Sequence, residues 1–222
     1  MIRAVVFDLD GPIYDSFGRG LANLEKILSS NGVPFPDEKR TLLLRLWGKN
    51  GRQLLVDVFS FSESEADRMY EEWFALEKEP HPLVPGAREV LTSNVSKGIV
   101  NTILTSRRRR DLDHILSAHG IAEQFEFAQA FDDDAYAKPD PRAFSRTLHF
   151  LASCGGIDKH EIVFIGDTFS DARFGREAGI ETLIVRTGPC RGVSGDQRPV
   201  GSGKMLTSIA DFPDWIAFFH DQ

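Results

Sequence analysis

Two aspartates, Asp8 and Asp10, stand at i and i+2 where an apolar run over residues 2–7 ends, immediately before Gly11. On extended chain, residues two apart point to the same face. Two carboxylates so placed repel one another unless a cation or a shared proton lies between them. Three further polar groups follow three further apolar runs. Thr105 and Ser106 follow residues 99–104, Lys138 lies in Ala137-Lys138-Pro139-Asp140-Pro141, and Asp167 and Asp171 lie in Gly166-Asp167-Thr168-Phe169-Ser170-Asp171. Each has a plain reading of its own: a polar turn, a helix-capping serine, a solvated lysine, two acids near a helix N-terminus. Together they describe different chemistry. A few carboxylates with room for water and a phosphate suit Mg²⁺. A held ammonium offsets anionic charge, and the free N–H groups at a helix start receive an anion.

Such residues meet only if their strands lie side by side. Apolar, β-branched runs at 2–7, 99–104, 125–131 (weaker), 162–165 and 182–185 alternate with amphipathic stretches at 87–95, 111–119 and 141–151. This alternation predicts an α/β, Rossmann-like parallel sheet core with helices on both faces. Ligands of open α/β sheets sit at the carboxyl ends of the strands, where all four groups fall. Residues 17–84 break the rhythm. Leu21, Leu24, Ile27 and Leu28 share a helical face, as do Leu42, Leu43 and Leu46, and again Met69, Trp73 and Leu76. Asn31-Gly32, Pro34 and Pro36 separate the first two helices, and Pro80, Pro82, Pro85 and Gly86 close the segment. The predicted organisation is a core of residues 1–16 and 85–222 with a small all-helical domain, 17–84, inserted after the first strand. A last helix over 212–219 packs on the core, and 188–204, rich in Gly, Ser and Pro, reads as a loop.

The chain has 222 residues, 41% of them hydrophobic, enough for a sizeable core and against disorder. Its net charge of −7 argues against nucleic acid and membrane surfaces as partners, because both are anionic. No apolar stretch approaches the roughly 20 residues that span a bilayer, and the N-terminus has no signal-peptide pattern. The cysteines, Cys154 and Cys190, have no metal-site spacing and read as free thiols in a reducing cytoplasm. A monomer is the default expectation, although nothing in the sequence fixes the oligomeric state.

D-x-D-G, a strand ending in T-S, K-P-D-P and G-D-T-x-x-D, in this order, resemble the haloacid dehalogenase-like superfamily over residues 1–185. The helical insert resembles the C1-type cap of its phosphoglycolate phosphatase and β-phosphoglucomutase-like branch, as does the return segment Leu83-Val84-Pro85-Gly86-Ala87. The resemblance implies that Asp8 is a nucleophile attacking phosphorus to give an aspartyl-phosphate. At an ordinary carboxylate pKa, near 3.9, Asp8 needs no activating base. It implies Asp10 as general acid and then base, Thr105 as a hydrogen-bond partner of the phosphoryl group and Lys138 as its counter-charge. The amides of Leu9 and Asp10 cradle the phosphate. The resemblance further implies Mg²⁺ held by Asp8, the carbonyl of Asp10 and Asp167, with Asp171 binding through water or orienting the others. Dehalogenase and phosphonatase branches lack an acid at the position of Asp10, so transfer of phosphate to water leads. A phosphomutase, and a binding protein that has kept only the fold, stay open. Pro12 departs from the usual Thr of D-x-D-G-T and removes a hydroxyl and an N–H.

The expected substrate is a small phosphorylated metabolite, a phosphoglycolate-like or sugar-phosphate-like monoester. Trp47-Gly48-Lys49-Asn50-Gly51-Arg52 resembles a substrate-specificity loop, with Lys49 and Arg52 suited to a small anionic or polar ester, or else a basic turn between helices. Ser106 and Arg107 are further candidate substrate contacts. The rest of the run 107–110 reads as a solvated face partnered by Asp111 and Asp113, residues 132–134 as solvated acids, and the six histidines form no ligand pattern.

Overall fold

In the computed structural model, residues 1–77, 80–191 and 204–220 are described. Six parallel strands form one sheet in the order β3-β2-β1-β4-β5-β6: β1 (Ala4–Phe7), β2 (Val100–Leu104), β3 (Phe127–Gln129), β4 (Ile162–Gly166), β5 (Glu181–Val185) and β6 (Lys204–Leu206). The first and fourth strands are neighbours in register, Phe7 opposite Ile165 and Ala4 opposite Ile162. The second lies on the other side of the first, Phe7 opposite Ile103. Asp8, Thr105 and Asp167 are thereby delivered to one edge. The strand order reverses around β1, which is where a doubly wound sheet opens its crevice.

The pleat divides the strand residues between two cores. Val5 and Phe7 pack with Val163, Ile165, Leu183 and Val185 on one face, against α5 (Ala87–Ser96), α6 (Arg109–His119) and α9 (Phe212–His220). Ala4 and Val6 pack with Ile162 and Phe164 on the other, against α7 (Ser145–Ser153) and α8 (Phe169–Ala178). Helices therefore cover both faces, as a parallel sheet requires. The strand over Lys204–Leu206 was not expected, because a three-residue strand beyond a Gly/Ser-rich stretch carries too short a pattern to stand out. Residues 192–203 of the loop expected over 188–204 lie outside the described residues.

Between β1 and α5 come α1 (Phe17–Ser30), α2 (Asp37–Leu46), α3 (Gly51–Phe59) and α4 (Glu63–Ala75). They share a hydrophobic cluster of their own in which Leu24, Leu28, Leu43, Leu55, Met69 and Trp73 are buried. Leu42 does not join it and is exposed. A Ser62–Glu65 capping box starts α4. The two passages of chain into and out of these helices run together. The Asp15 amide donates to Pro82 O (2.9 Å) and the Val84 amide to Ile13 O (2.8 Å).

The turn after β1 closes through the amides of Gly11, Ile13 and Tyr14, which donate to Tyr14 O, Leu9 O and Leu9 O. No bond of that turn depends on an N–H at Pro12. No helix of the described residues is long and apolar enough to cross a membrane. Cys154 is exposed and Cys190 buried, both as free thiols.

Candidate active site

Asp8 leaves the end of β1 into a buried carboxylate cluster. Lys138 Nζ lies 2.8 Å from Asp8 Oδ2 and 2.9 Å from Asp171 Oδ1, all three side chains being almost fully removed from solvent. Carboxylate oxygens of Asp8, Asp167 and Asp171 lie within 4.8 Å of one another. The lysine comes from the loop before a short 3₁₀ turn, Pro141–Phe144, whose first residue is the proline and whose cap, Asp140, accepts from the Arg142 amide. Asp171 sits in the first turn of α8 and has two tasks there. Its Oδ2 accepts from the Thr168 hydroxyl (2.6 Å) and the Thr168 amide (3.2 Å) in a capping box, while Oδ1 holds the lysine. One side chain thus both closes the helix start and holds the lysine.

Asp167 is different. It is buried, and among the described residues no donor is bonded to its carboxylate. Two glycines make room for it. A Cβ on Gly11 would come within 2.0 Å of Asp167 Cγ, and one on Gly188 within 2.0 Å of Asp167 Oδ2. Both glycines have positive φ, +92° and +48°, so the close approach and the backbone conformation exclude a side chain for separate reasons.

This electrostatic arrangement is unbalanced. Burial, then the neighbouring Asp171, Asp8 and Asp10, drives the Asp167 carboxyl well above the usual range, with Lys138 only partly opposing. Burial likewise pushes Asp8 up to about 7, offset by Lys138 and reinforced by Asp171 and Asp10. Without a cation beside it, the desolvation of Asp8 outweighs its ammonium partner. Lys138 is held above its ordinary value, because Asp171 and Asp8 outweigh the burial that would lower it. Three buried carboxylates around one ammonium, one of them without a donor, suit a hard divalent cation bound through oxygen. Such an ion would return Asp8 and Asp167 to their charged forms.

Asp10 stands beside this cluster, more open, its side chain 26% exposed. Arg107 grips it with Nε to Oδ2 and Nη2 to Oδ1, each 2.8 Å, and the Ser16 hydroxyl donates to Oδ1 at 2.5 Å. The same guanidinium reaches Glu77 Oε2 through Nη1 (2.9 Å) and lies over the Tyr14 ring. Glu77, though buried, is pulled down to about 2 by Arg107 and the adjacent His81. Ser16 and Glu77 were not anticipated. Ser16 precedes a helix like any other serine, and Glu77 lies in an unremarkable charged stretch, Glu77-Lys78-Glu79.

Other candidates are placed less directly. The Leu9 amide donates to Asp8 Oδ1 at 2.7 Å. Thr105 is buried at the end of β2, and its hydroxyl accepts from the Arg107 amide (3.2 Å). Ser106 does not cap α6, which begins at Arg109. Its hydroxyl donates to Gly48 O (2.5 Å) and its carbonyl accepts from Asn50 Nδ2 (3.0 Å), joining the strand end to the loop before α3. Lys49 faces the cavity above Asp8 and Asp10 but is paired with Asp57 at 2.7 Å. Arg52 does not line the cavity and pairs instead with Glu63 and Asp67 of α4.

The run 107–110 has its expected local partners, Asp111 on Arg110 (3.0 Å) and Asp113 on Arg109 (3.1 Å), but it is more than a solvated face. Arg108 and Arg110 lie over the rings of Tyr70 and Phe74 (4.7 and 4.6 Å) and pair with Asp67 and Glu71 of α4. Arg109 takes Asp113, Asp133 and, through its amide, Asp132. Residues 132–133 are therefore partners of that arginine and not free acids.

Comparison with known proteins gives this geometry a family. The N-acetylmuramic acid 6-phosphate phosphatase of Pseudomonas aeruginosa is 27% identical over 196 residues, covering 84% of this chain and 83% of that protein. A phosphoglycolate phosphatase of Pseudomonas fluorescens is 29% identical over 193 residues, covering 82% and 68%. The solved structure of a hydrolase from Pseudomonas syringae superposes with a TM-score of 0.79 at 21% identity, over 97% of this chain and 98% of that one. The sequence pattern described as haloacid dehalogenase-like hydrolase matches residues 5–185, a span that holds Asp8, Asp10, Thr105, Lys138, Asp167 and Asp171 alike. The chain belongs to the haloacid dehalogenase-like hydrolases.

Proposed function

We propose that this protein is a Mg²⁺-dependent phosphatase that hydrolyses a small phosphate monoester through an aspartyl-phosphate on Asp8. The observation that carries the reading is the buried Asp8–Lys138–Asp171–Asp167 cluster with Asp10 beside it, lying beneath a cavity at the strand ends. The names of the two relatives, both phosphatases of phosphorylated metabolites, support the same class.

Asp8, Asp167 and the carbonyl of Asp10 would hold the ion, and Asp171 would orient Lys138 and the loop. Mg²⁺ held by these residues would supply positive charge to neutralise the phosphate and keep Asp8 ionised. An Asp8 oxygen bonds to phosphorus as the ester P–O bond breaks, and the leaving alcohol takes a proton from Asp10. Water then attacks the same phosphorus, passing its proton to Asp10, and inorganic phosphate leaves Asp8 free. Lys138 balances charge on Asp8 and the transferring group throughout, while Thr105 and the Leu9 amide position it. For Asp10 to donate, Arg107 must yield one of the two oxygens it now grips. Residues 17–84 act as the cap, hinged where residues 13–15 pair with 82–84, and exclude water when closed.

The test is phosphate release from a panel of monoesters, with Mg²⁺ and with EDTA, using Asp8→Asn as the blank. Release that needs the metal and vanishes in the variant is expected. Release that persists in Asp8→Asn would overturn the assignment of the nucleophile.

A further inference from the structure

Asp10 and Glu77 share one cation and hold it in different ways. Arg107 meets Asp10 along one edge, Nε to Oδ2 and Nη2 to Oδ1 at 2.8 Å each, and reaches Glu77 Oε2 at 2.9 Å with Nη1, the nitrogen that Asp10 does not use. The guanidinium has little room to move. Its side chain is 15% exposed and lies 5.3 Å from the centre of the buried Tyr14 ring, whose hydroxyl is fixed by the His81 amide at 2.8 Å.

The two oxygens of Asp10 are not equivalent. Oδ1 accepts from Nη2 and from the Ser16 hydroxyl, whereas Oδ2 has Nε as its one donor among the described residues. Oδ2 is therefore the oxygen that can be turned to a substrate for the loss of a single bond. When it turns, Arg107 loses much of its pairing with Asp10. A buried guanidinium then needs its counter-charge elsewhere, because a buried charge left without a partner is strongly destabilising.

Glu77 is placed to supply that charge. Its side chain is 8% exposed, and burial alone would raise its carboxyl, yet Arg107 and His81 hold it down at about 2. It therefore stays an anion at neutral pH whatever Asp10 is doing. The need arises in both halves of the reaction. With a proton on Oδ2, whether about to be given to the alcohol or just taken from water, Glu77 is the full negative charge that remains on Arg107.

Resting on the phosphatase reading above, we propose that Glu77 is a positioning residue for proton transfer: as the standing counter-ion of Arg107, it lets Asp10 surrender Oδ2 to the leaving oxygen without stranding a buried guanidinium.

The test compares esters that differ in how much their leaving groups need a proton, on the full chain with Mg²⁺. The quantity read is kcat/KM, which covers every step through departure of the leaving group. A 2,4-dinitrophenyl phosphate releases a stable phenolate and needs little help, whereas phenyl phosphate, 2-phosphoglycolate and glucose 6-phosphate release groups that do. In Glu77→Gln, kcat/KM should fall about tenfold or more for those of the latter three that the parent chain hydrolyses, and by less than about twofold for the dinitrophenyl ester. Glu77→Asp, which restores the charge on a shorter arm, should recover part of the loss. With Arg107→Met already in place no buried cation needs compensating, and adding Glu77→Gln should then change kcat/KM by less than about twofold.

An equal loss on every ester, the dinitrophenyl one included, would mark a general disturbance of the site and overturn the counter-ion inference. No loss on any ester would overturn it as well, and so would a Glu77→Gln loss of undiminished size in the Arg107→Met background. In each of these cases the parent chain turns over esters and the phosphatase reading stands. If the parent chain hydrolyses none of the four esters with Mg²⁺, both readings fall.

Discussion

The two walls of the active-site cavity are built on opposite principles. The lower wall is a set of strand ends in register, so that sequence-distant groups converge in a buried cluster in which Lys138 pairs with Asp8 and Asp171 beside Asp167. The upper wall is a set of helix faces and one loop, held to the core by Ser106–Gly48, Asn50–Ser106 and Tyr70–Asp111 hydrogen bonds and by arginines lying on α4. Chemistry common to a family belongs on the rigid wall. Selection among substrates belongs on the wall whose contacts can be changed without disturbing the sheet.

If that division holds, damage to the lower wall should be severe in rate or in folding, and damage to the upper wall mild in folding but visible in KM. The largest effect is expected for Asp8→Asn, which should cut kcat by on the order of 10⁴-fold or more. Its stability should move the other way. Burial has pushed Asp8 up to about 7, so removing the charge relieves repulsion with Asp171 and Asp10. In EDTA its melting temperature should equal or exceed that of the parent chain, and a clear fall would show that the Lys138 pair outweighs that repulsion.

Lys138→Met probes the same wall from the cationic side. It leaves Asp8 and Asp171 buried without their ammonium, and breaking a buried pair from one side costs about 3–5 kcal/mol. Urea unfolding without metal should show that loss, and saturating Mg²⁺ should recover part of it by binding the folded state. A loss below about 1 kcal/mol would mean the carboxylates shed their charge when the lysine leaves.

This lower wall was also the legible part of the molecule. A strand end is marked by an apolar run that stops at a polar residue, and the parallel α/β rule then states where the residues must meet. Asp8, Asp10, Lys138, Asp167 and Asp171 were all nameable that way, and the resemblance covered them. The upper wall gives no such signal. Trp73 reads as one position of a helical apolar stripe, correctly so, yet the same indole lines the cavity from the edge of that stripe. Glu77 becomes notable only because Arg107, thirty residues away, reaches it. Gly188 looked like loop composition, whereas its missing side chain is what admits Asp167. Such roles depend on which helix face meets which strand end, a tertiary fact that spacing along one element does not encode. The arginine run was half legible for the same reason: Asp111 and Asp113 are partners as expected, but Asp67, Glu71 and the rings of Tyr70 and Phe74 on α4 are not encoded by spacing.

Tyr70→Phe sharpens the comparison from above. It removes the 2.6 Å bond to Asp111, an aspartate with no solvent exposure, and so strands a buried acceptor. The expected cost is about 1–3 kcal/mol in global stability. Because the bond joins helix α4 to helix α6, KM should rise while kcat at saturation changes less. A proportionate loss in kcat instead would show that the upper wall takes part in the chemical step.

The smallest effect is expected for Arg110→Ala. Its side chain is 54% exposed and its partner Glu71 50%, and such pairs contribute about 0–1 kcal/mol; its second partner, the buried Asp111 at 3.0 Å, keeps the Tyr70 hydroxyl as a donor. The planar stack on Phe74 adds little at an exposed site. Stability should therefore change by less than about 1 kcal/mol. The informative readout is salt dependence. If the Arg108 and Arg110 contacts help hold α4 against the core, KM of the parent chain should rise with ionic strength as those pairs are screened. In Arg110→Ala that dependence should be shallower. Identical salt profiles in the two proteins would confine the latch between the walls to Tyr70–Asp111 and Ser106–Gly48, whose buried bonds salt does not reach.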